Sequence, residues 1–268
     1  MFQGRVETSP IPERVYEVCR VVAEHASQLS DVREKLEPSA MAGNTSYFGS
    51  ILTAAKELQL VEQTEDDKLT YIGDKKVLRT MVSFRKYCNS VVFNDRNTMF
   101  YQTAACFITS NLEWLKYPSL TSEEVMDYLR GHTNISPVYP DILRGTRFWM
   151  SFLGFGFVSE RPNMFFLPNM YLALKDFMEM AGFETKEEYT MSSFVQKLMP
   201  YCHVALEECS PSSPLNYCLS AALRTMHDNK EIQLQRYLDS QEVWQLYRQE
   251  SHAVVSEVTH ITILKEVQ

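Results

Sequence analysis

The stretch NTSYFGSILTAAKELQLVEQTEDDKLTYIGD, residues 44–74, decides how the chain is read, because its apolar period changes midway. Phe48, Ile51, Leu52, Ala55 and Leu58 recur at the three-and-four spacing of one helix face, and Ser46, Tyr47, Ser50 and Thr53 fall on the other. After Leu58 the pattern becomes near-alternating through Leu60 and Glu62 and resumes at Leu69 and Tyr71, with Glu65-Asp66-Asp67 as the turn. A polar-started helix therefore leads into a two-stranded hairpin.

Upstream, Pro12 stands where an N1 proline belongs, and Val15, Val18, Cys19 and Val22 form the stripe of a first helix. Asp31 with Glu34 makes a capping pair for a second helix carrying Val32 and Leu36, and Pro38, Ser39 and Gly43 interrupt it. Helix, helix, turn, helix, hairpin is the order of a winged helix-turn-helix domain, and residues 12–74 resemble that class in architecture.

The pattern returns twice. Val77 to Phe93 reads as a linking helix. Phe100, Ala104, Phe107 and Ile108 then form a stripe, Thr121 with Glu124 a capping box, and Ile142, Gly145, Trp149, Phe152 and Leu153 a third helix. FGFVSERPNMFFLP supplies two short strands around Arg161-Pro162-Asn163, and the junction Leu58-Gln59-Leu60-Val61-Glu62 can be laid against Phe155-Gly156-Phe157-Val158-Ser159. Met170–Ala181 reads as a helix, followed by a charged connector from Gly182 to Glu188. Phe194, Leu198 and Val204 suggest one or two helices, and Tyr217–Met226 another. A strand is expected near Ile232–Leu238, a short helix around Val243, Trp244 and Tyr247, and a returning strand within Val254–Leu264. The expected fold is mainly α with small β wings, as tandem winged helix-turn-helix domains: 1–75, a linker helix 76–96, a second domain 97–181, and an α+β domain 182–268 read as a degenerate third copy.

At 268 residues and 45% hydrophobic, the chain can bury two or three cores. It has no apolar run of membrane-spanning length and no secretory signal pattern near the start, so it is expected to be soluble and cytoplasmic. Its six cysteines lie far apart, which suits reduced thiols. The net charge of −8 is uneven, at −5 over 1–75, +3 over 76–150 and −6 over 151–268. Only the middle is suited to phosphate.

Enzyme signatures are missing. There is no phosphate-loop motif, Gly154-Phe155-Gly156 lacks the third glycine of a dinucleotide fingerprint, and neither G-x-S-x-G nor H-E-x-x-H occurs. The adjacent acids Glu123-Glu124, Glu187-Glu188 and Glu207-Glu208 read as solvated helix-end pairs. Cys202, His203, Cys209, Cys218 and His227 are too irregularly spaced for a zinc site. No cofactor and no metal are expected.

In winged-helix DNA binders the third helix enters the major groove, where exposed side chains read bases and Lys or Arg hold phosphates. The resemblance therefore makes Ser46, Tyr47, Ser50, Thr53 and Lys56 candidates in the first copy, with Asn44 at their head. In the second copy the candidates are Arg144, Arg147 and Ser151, with Lys116 and Arg130 on neighbouring segments. Tandem winged helices of acidic charge resemble two kinds of protein. One is the DNA-binding regulator or accessory subunit of bacterial DNA-modification and phage-defence islands. The other is the winged-helix scaffold of chromosome-condensing complexes, which grips protein. The implied partners are double-stranded DNA, through the second unit chiefly, and protein subunits of a DNA-associated complex; neither kind is an enzyme or binds membrane.

Overall fold

The computed structural model describes residues 1–42, 47–109, 122–159, 165–249 and 256–266. The chain is mainly helical with small antiparallel sheets, and it divides into two compact units. One comprises Met1–Thr103 with Thr121–Leu153, the other Ala104–Leu120 with Gly154–Gln268. The third helix of the expected middle domain thus falls in the first unit and its hairpin in the second.

In the first unit the order is α1 (Pro12–Glu24), β1 (Ser27–Gln28), α2 (Leu29–Leu36), α3 (Ser39–Ala42), α4 (Phe48–Glu57), β2 (Val61–Gln63) and β3 (Lys68–Tyr71). Pro12 opens α1 at N1, and Val15, Val18, Cys19 and Val22 are buried as the stripe requires. From α4, Phe48, Ile51, Leu52 and Ala55 are buried against them. The strand order is β1-β3-β2, with Ser27 opposite Leu69 and Val61 opposite Tyr71. β1 leaves no mark in the sequence pattern, since two residues carry no alternation to read. Helix α2 also differs from expectation: Gln28 is its N-cap, Asp31 lies inside it, and the Glu34 carboxylate accepts the Ser39 amide instead of closing a capping box.

A 3-10 turn (Lys75–Leu78) precedes α5 (Met81–Val91), in place of the one expected linking helix; Thr80 caps α5 by accepting the Ser83 amide. Then come α6 (Met99–Thr109), α7 (Ser122–His132) and α8 (Pro140–Phe152). The expected Thr121 capping box and the Arg161-Pro162-Asn163 turn lie outside the described residues. Helix α8 is fastened to the first ten residues. The Trp149 indole donates to the Pro10 carbonyl at 2.6 Å, the Tyr139 hydroxyl donates to the Val6 carbonyl, and the Phe2 ring stands edge-on to Trp149 and Phe100. Gly145 permits this approach, because a Cβ there would run into the Glu7 carbonyl.

The second unit contains the hairpin β4 (Gly156–Ser159) and β5 (Phe165–Pro168), then α9 (Tyr171–Met180), β6 (Glu188–Thr190), α10 (Met191–Leu206), α11 (Tyr217–Asp228), β7 (Ile232–Gln235), β8 (Trp244–Gln245), β9 (Glu257–Val258) and β10 (His260–Ile263). Leu174, Phe177, Phe194, Leu198, Leu219, Leu223 and Ile261 form its core. The strand order β6-β10-β7 has the connectivity of β1-β3-β2: β1 follows α1 and pairs with β3, the last strand of the hairpin after α4, and β6 follows α9 and pairs with β10, which returns beside β7 after α11. Helix α10 kinks at Cys202 (φ −133°), two residues after Pro200, which cannot continue the helical hydrogen bonds. The helix expected around Trp244 is instead the short ladder β8–β9, inserted between β7 and β10.

Candidate functional site

Three helices lead directly into hairpins, and they end alike. After α4, α8 and α11 the second residue beyond the helix has positive φ: Gln59 at 57°, Gly154 at 86° and Lys230 at 55°. The strand then begins four residues past the helix end, at Val61, Gly156 and Ile232. In α4 and α11 the bond from the residue after the left-handed one completes the cap, Leu60 N to Ala55 O and Glu231 N to Met226 O. This register places Leu58 with Leu153, two residues away from the overlay read from sequence. Apolar identity guides that overlay, whereas the left-handed residue fixes the geometry.

Counting back from those residues defines an outer face. In α4 it carries Gly49 and Thr53, in α8 Arg144 and Phe148, and all four are exposed. In α11 the matching positions are Ser220 and Arg224, both buried.

The candidate side chains of α4 are largely engaged at home. Ser50 donates to the Tyr47 carbonyl, Thr53 to the Gly49 carbonyl, and Lys56 to Gln63 Oε1. Tyr47 is 43% exposed, with the Arg14 guanidinium over its ring. Ser50, Thr53 and Glu57 line a cavity of about 120 Å³ whose other wall is Met1, Gly4, Arg5, Glu7 and Pro10. Glu57 anchors that wall, accepting the Met1 amino group and the Phe2 amide at 2.7 Å each. Asn44 and Ser46 lie outside the described residues, as does Lys116.

The second set divides. Arg130 is ion-paired with Glu123 and Asp127 on its own helix, and the hydrogen bonds it donates to Glu123 and then Asp127 hold its pKa above the usual value. Arg144 is exposed and forms no ion pair among the described residues. Arg147 is half-buried and donates to the Leu143 carbonyl at 3.1 Å; burial, then the Arg144 charge, pushes its pKa down. Ser151 is half-buried one turn on. Phe148, 39% exposed one turn beyond Arg144, escapes sequence reasoning because a phenylalanine in an apolar-rich helix reads as core.

Among the described residues no three His, Cys, Asp or Glu side chains stand together to hold a metal. Cys202 and Cys218 are buried, and His227 Nδ1 accepts the Leu234 amide at 3.1 Å. No described helix is long and apolar enough to cross a membrane. Comparison with protein families, with curated proteins and with solved structures yields no match.

Proposed function

We propose that the chain is a non-enzymatic adaptor built of tandem winged helix-turn-helix domains, working in a DNA-associated multi-protein assembly and touching duplex DNA through α8 alone. The shared connectivity β1-β3-β2 and β6-β10-β7 supports the winged-helix reading of the first and last domains. The contrast between the outer faces carries the functional one. α8 presents Arg144 and Phe148 outward with Arg147 half-buried beside them, whereas α4 faces the chain's first residues beside Glu57, and α11 is covered. Two cations are few for phosphate, so duplex binding is expected to be weak and easily screened.

The test is fluorescence anisotropy on a duplex of about 30 base pairs from roughly 20 to 200 mM salt. With two cations engaged, log K falls against log salt with a slope near about −1.8, and Arg144→Ala with Arg147→Ala abolishes binding. Binding that survives the double substitution rejects α8 as the DNA face. No binding at low salt leaves the second reading, a protein-only scaffold, which the burial of Ser220 and Arg224 on α11 favours.

A further inference from the structure

Arg224 occupies the position that is exposed as Thr53 in α4 and as Phe148 in α8, yet it is 2% exposed. What lies over this face of α11 is the segment Glu242–Gln249, from the insertion between β7 and β10. The Leu215 amide donates to the Gln245 carbonyl at 2.7 Å, the Tyr247 amide to Ser220 Oγ at 2.8 Å, and the Tyr247 ring meets Tyr217 edge-on at 5.7 Å. Tyr217, Ser220 and Arg224 share one stripe of the helix, so the insertion covers the arginine's face. Its backbone pairing is short, and the buried side chains of Trp244 and Leu246 hold it down. β8 and β9 pair over two residues, and Trp244 donates to Ser192 Oγ, which in turn donates to Glu242. So short a ladder belongs to the low-stability end of a fold.

Beneath it, Arg224 Nε and Nη1 have no hydrogen-bond partner, and the guanidinium makes no ion pair among the described residues. Tyr217 and the Asp228 carboxylate act on it electrostatically without closing an ion pair, and a buried guanidinium with two orphaned nitrogens is a costly arrangement to keep without use. Its flanks are two tyrosines, which suit a protein interface. Residues 151–268 carry a net −6, which repels a phosphate backbone at every unit but leaves a single carboxylate free to fork onto the arginine.

We propose that Glu242–Gln249 is a displaceable cover on α11, and that Arg224 beneath it receives a carboxylate presented by a protein partner. This rests on the protein-docking side of the adaptor reading. It is independent of DNA contact through α8, so failure of either leaves the other measurable.

The probe is a fluorescent glycine/serine peptide carrying a single glutamate, titrated by anisotropy into the wild type, Trp244→Ala and the double variant Trp244→Ala/Arg224→Gln. Loosening the cover should tighten binding by about tenfold, and the further Arg224→Gln substitution should return it to the wild-type level, a loss matching one charge-assisted pair. Unchanged affinity in Trp244→Ala, or tightening that ignores Arg224→Gln, overturns the proposal. So does Arg224-dependent binding of a DNA oligonucleotide in place of the peptide. Trp244 is buried and its loss could unfold the unit, so the wild type is also treated with phenylglyoxal and mapped by mass spectrometry. Arg224 should react far more slowly than Arg144, and the single-glutamate peptide but not its glutamine counterpart should slow it further. Equal rates, or no protection, overturn the proposal.

Discussion

Ile51 and Thr53 are two positions apart on α4 and have opposite surroundings: Ile51 is 8% exposed in the core, while Thr53 faces outward. Burying an unpaired carboxylate at Ile51→Asp is expected to cost several kcal/mol, on the order of 2–5, before the group neutralises. Thr53→Asp should leave the melting temperature within a few degrees of wild type, and equal losses for the two variants would refute the helix phase. That phase is legible in the sequence because alternation and helical period differ sharply in this stretch. The roles of Phe148 and Arg224 are not, since a sequence does not show whether a large apolar residue faces out or whether an arginine is covered by a distant insertion. Serine, threonine and lysine candidates on α4 are visible as polar, but not their bonds to neighbouring backbone and to Gln63.

The three helix-to-hairpin junctions share a left-handed residue, but only one of them uses glycine. At Lys230 the positive φ strains an L side chain, so Lys230→Gly should raise stability by about 0.5–1 kcal/mol in denaturant melts. Gly154→Ala should do the reverse and lose more than about 1 kcal/mol, because a Cβ would meet Ala173 N and Leu172 Cβ at 2.7 Å. A fall in stability for Lys230→Gly would mean that its side chain contributes more than the strain costs. Helices of ten or more residues are readable from period alone, whereas β1, β6 and β8 are set by pairing with strands far along the chain, a signal that no local window contains. Trp244 illustrates this: its neighbours Val243 and Tyr247 fit a helical stripe, but pairing with Val258 makes the segment extended.

Across the molecule, burial holds the thiols in the neutral form, with Cys19 pushed up to about 12 and Cys106 and Cys209 to about 11 from 9.0. The folded state therefore keeps protons that the unfolded chain releases. The stability they contribute is fully present below pH 9 and is lost as pH rises toward 11 and 12. Urea midpoints should be level in this respect from about pH 7 to 8.5 and fall progressively above about 9, and a midpoint that holds to about pH 11 would refute the buried placement of these groups. Charge distribution is readable at this scale from the residues alone, because the excess of acid over base needs only counting. Which residues belong to one compact unit is not, because that depends on contacts across many intervening residues.

The attachment of Phe2, Val6 and Pro10 to α8 has a consequence for the order of events during synthesis. The helix that receives them ends at Phe152, long after the surrounding core of α1, α4 and α5 has been made. At a translation rate of about 5–20 residues per second, the segment waits several seconds with its apolar side chains unsheltered. Whatever occupies a nascent chain during that interval, whether the ribosome surface or a holdase chaperone, has its opportunity at Phe2 and Val6.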